Sequence, residues 1–114
     1  MIYSINKPIG WTSFDVVKKI RGITREKKVG HAGTLDPFAE GVLIIGTGKD
    51  TKKLTSISSS IKSYRAILKL GKTTDTLDNE GEVTNKMDVP TFDKVKIEKV
   101  LLTFKGIYFH PPPL

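Results

Sequence analysis

The sequence lacks cysteine altogether, which excludes disulfide bridges and thiolate metal sites. Its 114 residues contain no stretch of about eighteen apolar residues, so no membrane-spanning helix is predicted. The first eight residues also lack the basic start and the apolar stretch of a secretory signal. We therefore expect one soluble domain in the cytoplasm, without a membrane partner.

Acidic charge is scarce as well, because 12 acidic residues face 19 basic ones and the formal net charge is +7. Such an excess favours polyanionic partners. Basic residues concentrate between positions 18 and 28, where Glu26 is the only acid. This basic cluster fits either a solvated helix face or a phosphate-binding face, and its place just before a glycine-rich run favours the second. Its candidate phosphate-binding residues are Lys18, Lys19, Arg21, Arg25 and Lys28.

The glycine-rich run, residues 30–43, is the most informative stretch of the chain. It combines three glycines with His31 and Asp36, directly before the most apolar run at 42–45. Glycines let the backbone turn sharply and approach a ligand closely. Pro37 is rigid and would hold the neighbouring Asp36 in a fixed place. Composition alone leaves two interpretations open: an acid held for chemistry, or a turn before a strand in which Asp36 is a local cap.

Apolar spacing predicts an amphipathic helix before this run. Either Thr12 or Ser13 can cap its start, and Asp15 falls favourably in its first turn. The basic cluster would lie on the face opposite the apolar one. The apolar face is predicted to contain Phe14, Val16, Val17, Ile20 and Ile23.

Strands and helices otherwise alternate irregularly, without a repeating βαβ unit, which predicts an α+β fold with a mixed sheet. The clearest strand signal is the alternation at Ser63–Leu70, with Tyr64 on its apolar face. Further strands are predicted at 3–6, 42–46, 82–85 and 107–109, and a polar loop at 72–81. A helix is predicted at 50–58, with Leu54 and Ile57 facing inward. A last helix would be capped by Thr91 and ended by Gly106, with an apolar face of Ile97, Val100, Leu101 and Phe104.

Several familiar sites can be excluded by spacing. A phosphate loop that includes Gly48 and Lys49 needs Gly at position 43 and Ser or Thr at position 50, where this chain has Leu43 and Asp50. The acids at 75–80 miss the spacing of a calcium loop. His31 and His110 have no partner at zinc-like spacing. What remains is an acid in a turn, a histidine, a tyrosine and a basic helix. Together they suggest chemistry on a nucleobase, although a nucleic-acid-binding domain without catalysis stays open.

Three blocks of the sequence resemble the N-terminal part of the TruB-type tRNA pseudouridine-55 synthases. They are NKPIGWTSFD at 6–15, VGHAGTLDPFAEGVL at 29–43, and YRAILKLG at 64–71 followed by TDTLD at 74–78 and Gly81. The resemblance implies part of a pseudouridine synthase catalytic domain, with a mixed, largely antiparallel sheet flanked by helices. It also implies isomerisation of the T-loop uridine of tRNA to pseudouridine, with tRNA as partner and no metal or other cofactor.

The resemblance also implies roles for individual residues. Asp36 matches the catalytic nucleophile, Tyr64 the tyrosine that stacks on the target base, and His31 a histidine that supports the flipped-out RNA loop. Core packing remains the other interpretation of Tyr64, and a plain turn residue that of His31. The basic cluster would contact the RNA backbone. We expect Lys7, Pro8 and Gly10 to shape the pocket floor, and Asp75 and Asp78 to brace the loop after the tyrosine.

The family pattern continues beyond this sequence. Residues 1–114 correspond to the N-terminal part of the catalytic domain, without its C-terminal half and RNA-binding region. His110 stands where the family has Gln, and Pro112 and Pro113 match its Pro-Pro pair. Because buried faces would be exposed in such a chain, we expect self-association or pairing with a complementing fragment. The alternative function is an RNA-binding fragment, or a truncated remnant without catalytic turnover.

Overall fold

The computed structural model describes residues 1–106. Their secondary structure is, in chain order, β1 (Ile2–Lys7), α1 (Ser13–Thr24), β2 (Val29–Ala32), β3 (Gly41–Thr47), a 3-10 helix (Gly48–Lys53), α2 (Leu54–Ser58), β4 (Lys72–Thr74), β5 (Val83–Lys86) and α3 (Lys94–Leu102). Within this range, none of the helices is both long and apolar enough to cross a bilayer.

A three-stranded antiparallel sheet organises the N-terminal half. β3 lies in the centre, because it carries the most apolar run and pairs with β1 on one side and β2 on the other. In this register Ile5 lies opposite Leu43 and His31 lies opposite Ile45. A second sheet contains only β4 and β5, which are also antiparallel. The expected α+β fold with largely antiparallel sheets is confirmed.

Helix α1 packs on one face of the three-stranded sheet. Val16 and Val17 form the core with Leu43 and Ile45 of β3, and Tyr3, Ile5, Ile20 and Val29 border it. The helix begins where the sequence allows, because Thr12 forms a capping box with Asp15. The question of which residue caps the helix is thus settled in favour of Thr12.

The other face of the same sheet is covered by α2. Successive side chains of a strand point to opposite faces, so a side chain at Gly46 would point away from Ile45. Leu54 of α2 fills that position and would lie 3.0 Å from a Cβ at Gly46 and 3.1 Å from a Cβ at Gly30. Two facing glycines on β2 and β3 therefore let α2 approach the sheet closely, and helices flank both of its faces as expected.

The expected strand at Ser63–Leu70 is wrong. Residues 61–69 are irregular, and every residue from 61 to 70 is exposed. The alternating pattern makes this segment suited to a strand, but a strand also needs a neighbour to bond its backbone groups. Within the described part of the chain no strand lies beside it.

The helical predictions need smaller corrections. Ile23 and Phe14 are 67% and 57% exposed, so the buried face of α1 is narrower than expected. The predicted helix at 50–58 begins as a 3-10 helix at Gly48, although Leu54 is buried as expected. Asp93, not Thr91, caps α3, because its carboxylate accepts the Lys96 amide.

Several other boundaries differ from the expectations. Helix α3 ends at Leu102, before Phe104 and Gly106, and none of its residues is buried. The glycine-rich run contributes strand β2, which was not predicted, and the start of the expected polar loop forms β4. The strand predicted at 107–109 and His110 lie outside the described residues.

Candidate active site

The turn between β2 and β3 carries Asp36, and its backbone is anchored on both sides of that residue. On one side, the Leu35 amide donates to Ser13 Oγ at 3.0 Å, and the same hydroxyl donates to the Leu35 carbonyl at 3.2 Å. On the other side, the Gly10 amide donates to the Pro37 carbonyl at 2.7 Å. The block at residues 6–15 therefore supports the turn in the glycine-rich block.

Gly10 can make its bond because it adopts a backbone conformation that favours glycine, with a φ of 90°. Lys7 also stabilises the segment around Gly10. Its side chain is fully buried, and its ammonium donates to the Pro8 carbonyl at 3.1 Å and the Trp11 carbonyl at 2.6 Å. The segment that holds Pro37 is thus itself fixed.

The Asp36 side chain is left available by this arrangement. The residue is exposed, and its own carbonyl accepts the Ala39 amide at 2.9 Å, which tightens the turn. Among residues 1–106 no hydrogen bond or salt bridge reaches its carboxylate. Asp36 therefore caps no part of the described chain, and its carboxylate projects from an anchored backbone.

His31 lies on β2 at the entrance to the same turn. It is half-buried, and its Nδ1 is hydrogen-bonded to the Gly33 carbonyl. Since a carbonyl can only accept, Nδ1 donates its proton in this contact. The histidine therefore braces the backbone where the turn leaves the strand.

Tyr64 shares a cleft with the residues that lead into Asp36. The cleft has a volume of 230 Å³ and is lined by residues 32–35, 42–44, 57 and 60–64. The tyrosine is 72% exposed, so it is not packed in a core. The structure thus brings Tyr64 and the start of the turn to one cavity, but no strand holds the tyrosine.

The residues of the basic cluster differ in their exposure to solvent. Lys18, Lys19, Arg25 and Lys28 are exposed, whereas Arg21 is half-buried and its Nε is buried without a partner among the described residues. A second cleft, of 470 Å³, is lined by Gly10, Trp11, Asp15, Lys18 and Lys19. Because Gly10 also holds Pro37, the basic side of α1 adjoins the Asp36 turn.

Asp15 is the acidic member of that second cleft. Hydrogen bonds from the Thr12 amide and hydroxyl hold its pKa below the ordinary value, and the positive charges of Lys18 and Lys7 add to this effect. Its carboxylate is therefore committed to the helix cap, which leaves the positive charge of the cleft available to an anion.

The loop between β4 and β5 is organised by its acids. Asp75 accepts the Glu82 amide at 2.9 Å, and Asp78 accepts the Glu80 amide at 2.9 Å and the Thr76 hydroxyl. These bonds brace the loop, as expected for Asp75 and Asp78. No group of three acidic or histidine side chains within residues 1–106 is arranged to hold a metal ion.

Ser13 is the site residue that sequence reasoning missed. It is a helix residue, and its contact with Leu35 spans 22 residues of sequence. The only local signal was that Thr12 and Asp15 already complete a cap, which leaves the Ser13 hydroxyl free for another partner.

Comparison with known proteins shows a family match. The family model described as TruB family pseudouridylate synthase (N terminal domain) matches residues 21–114. Proteins named tRNA pseudouridine synthase B are 45% identical in Dehalococcoides mccartyi and 49% identical in Clostridium kluyveri, each over 113 residues and 99% of this chain. The chain spans 38% and 39% of the lengths of these two relatives.

Solved structures agree with this assignment. A crystal structure of a Cbf5-Nop10-Gar1 complex matches 99% of this chain, and 29% of its own chain, with a TM-score of 0.64 and 30% identity. The structure of an H/ACA RNP bound to a substrate RNA containing 2′-deoxyuridine matches 92% of this chain, and 27% of its own, with a TM-score of 0.60 and 27% identity.

Proposed function

The chain belongs to the TruB family of pseudouridylate synthases, and we propose that it forms the N-terminal, acid-bearing part of an enzyme that converts uridine 55 in the T-loop of tRNA to pseudouridine. The observation that carries the proposal is the Asp36 turn. Its backbone is anchored at Leu35 and Pro37, while the carboxylate between them is exposed and unpaired within residues 1–106.

The chemistry needs little more than such an acid. In pseudouridine formation the bond from C1′ to N1 breaks, the uracil turns, and a bond from C1′ to C5 forms while the C5 proton is lost and N1 gains one. Product and substrate contain the same atoms, so no oxidant or group donor is consumed. An aspartate carboxylate can assist the breaking and forming of a glycosyl bond, and Asp36 has this role in our proposal.

Tyr64 and His31 have supporting roles in the proposal. The exposed ring of Tyr64 lines the cleft beside the turn, where it can stack on an extruded uracil. His31 fixes the backbone before the turn through Gly33, and its Nε2 can form a hydrogen bond with the RNA.

The basic side of α1 supplies the affinity for RNA. Extruding a uridine from a folded loop costs a few kcal/mol. Exposed lysines beside the turn can offset that cost through phosphate contacts. Lys18 and Lys19 line the cleft next to Gly10, and Arg21, Arg25 and Lys28 extend the same positive surface in our proposal.

The test is to incubate the whole protein with a tRNA transcript and to map pseudouridine in the T-loop. We expect product at position 55, and we expect Asp36→Asn to lose it while tRNA affinity stays within about twofold. Asn has the size of Asp but lacks its charge, so this variant separates chemistry from binding. Product formation by Asp36→Asn would refute the assignment of the nucleophile.

The second candidate function is RNA binding without turnover. It is favoured by the exposure of Tyr64 and by the irregular backbone of residues 61–69, which leave the base-stacking side chain unsupported in the described chain. The same assay decides between the two. Salt-sensitive tRNA binding without any pseudouridine, in wild type and variant alike, would establish the binding function instead.

A further inference from the structure

We propose that Ser13 is a positioning residue for Asp36: its hydroxyl holds the backbone of Leu35 and thereby sets where the next residue presents its carboxylate. This inference rests on the proposed role of Asp36 in turnover. It assigns to one buried hydroxyl a function that is separate from helix capping and from contact with the RNA.

The geometry of the contact is specific. One oxygen accepts the Leu35 amide at 3.0 Å and donates to the Leu35 carbonyl at 3.2 Å, so it satisfies both backbone polar groups of a single residue. Ser13 is 3% exposed, so water has little access to the pair. In a strand or a helix, other backbone groups would bond the amide and carbonyl of such a residue. In this turn the buried Ser13 hydroxyl takes their place and fixes the backbone.

The local structure of α1 leaves Ser13 free for this contact. Thr12 accepts the Asp15 amide at 2.9 Å, and the Asp15 carboxylate accepts the Thr12 amide at 2.9 Å. Because this cap is complete, the Ser13 hydroxyl is not needed to start the helix. Val16 and Val17, in the adjacent turn of α1, are packed in the core, so the backbone that carries Ser13 is held firmly in place.

Removal of the hydroxyl should change the turn in a particular way. In Ser13→Ala, both Leu35 groups lose their partner, while the bond from Gly10 to Pro37 remains. The turn keeps one of its two anchors and can pivot about it. A misplacement of about 1 Å can slow an enzymatic step by about 100-fold. We therefore expect a slower chemical step and an unchanged affinity for tRNA.

The matched control is Thr12→Ala. It alters the neighbouring residue and removes the helix cap, but leaves both hydrogen bonds of Leu35 in place. Three quantities are measured on the two variants and the wild type: the single-turnover rate constant at saturating tRNA, the Kd for tRNA, and the rate of amide hydrogen exchange at Leu35 by NMR. Thermal unfolding records the general loss of stability.

We expect Ser13→Ala to lower the rate constant by about 10- to 100-fold, to leave Kd within about twofold, and to speed Leu35 exchange relative to the amides of β3. Thr12→Ala should lower the melting temperature with neither local effect. The proposal is overturned if the two variants lose rate in proportion to stability, or if Leu35 exchanges without protection in the wild type. An unprotected Leu35 amide in the wild type overturns the proposal even if Ser13→Ala fails to fold.

The outcomes for Ser13 and for the proposed function remain distinguishable. If the whole wild-type protein forms no pseudouridine, the proposed function is contradicted, whatever Ser13 does. Protection of the Leu35 amide that is lost only in Ser13→Ala would still establish that Ser13 holds the turn. Normal turnover by Ser13→Ala with a loosened Leu35 would instead refute positioning and leave the function intact.

Discussion

We expect alanine at Gly10 and alanine at Gly22 to change the free energy of unfolding in opposite directions. A Cβ at either position would meet nothing within 4 Å, so alanine adds no steric contact at either one. The two differ in backbone conformation, because only Gly10 has a φ in the left-handed region, at 90°. Such a conformation costs a residue with a Cβ about 1–3 kcal/mol. The reduced entropy of the unfolded chain offsets about 0.4–1 kcal/mol of this cost.

We therefore expect Gly10→Ala to lower the free energy of unfolding by about 1–2 kcal/mol. If the backbone instead relaxes, the bond to Pro37 weakens, which costs a similar amount of about 0.5–1.5 kcal/mol. Gly22→Ala lies on the exposed side of α1 with ordinary helical geometry, so it should raise the free energy by about 0.5–1 kcal/mol.

Urea unfolding measures both effects. The single tryptophan, Trp11, reports on the segment beside Gly10 by fluorescence, and far-UV circular dichroism reports on the helices. Coincident transitions would justify a two-state treatment. If the two variants shifted the midpoint in the same direction, backbone conformation would not be the deciding factor, and the account of how the Pro37 side of the turn is held would be refuted.

Three further predictions follow from packing, acidity and charge. Gly46→Ala should lower the free energy of unfolding by about 1–3 kcal/mol, because the added Cβ would lie 3.0 Å from the Leu54 side chain. A double variant that also shortens Leu54 should recover part of this free energy, as measured by urea unfolding. The folded pKa of Asp15 lies below its ordinary 3.8, so its contribution to stability is present above that pH and is lost as the pH falls below it. Melting temperatures at pH 6 and pH 3 should therefore differ less in Asp15→Asn. The affinity for tRNA should fall as the salt concentration rises. Filter binding measures the slope of the logarithm of the association constant against the logarithm of the salt concentration, and alanine at both Lys18 and Lys19 should make this slope shallower by about 1–2. An unchanged slope would exclude both lysines from phosphate contact.

Local signals in the sequence predicted much of the N-terminal half. The Thr12–Asp15 spacing marks a helix start, and the apolar run at 42–45 marks the central strand, because both depend on neighbours within a few residues. The resemblance between sequence blocks identified the family. These signals could not reveal that Ser13 holds Leu35, since that contact joins two blocks across 22 residues.

The segment at 63–70 shows the opposite limitation. Its alternation is as regular as that of a strand, yet the backbone is irregular, because no strand among residues 1–106 offers hydrogen bonds to it. Likewise, Asp93 rather than Thr91 caps α3. Both residue types cap helices well, so the sequence alone left the start of that helix ambiguous by two residues.

The candidate site is therefore held unequally. Within the described chain, every buried apolar residue lies between Val16 and Leu54, so the acid is mounted on the packed part of the molecule. Tyr64 lies beyond it on an irregular segment, and most of its ring is exposed. A base can stack on such a ring without displacing protein contacts, but the ring imposes no fixed angle on it. In our proposal the carboxylate of Asp36 is therefore held in place before the substrate arrives, whereas the angle of the uracil ring has to be set on binding.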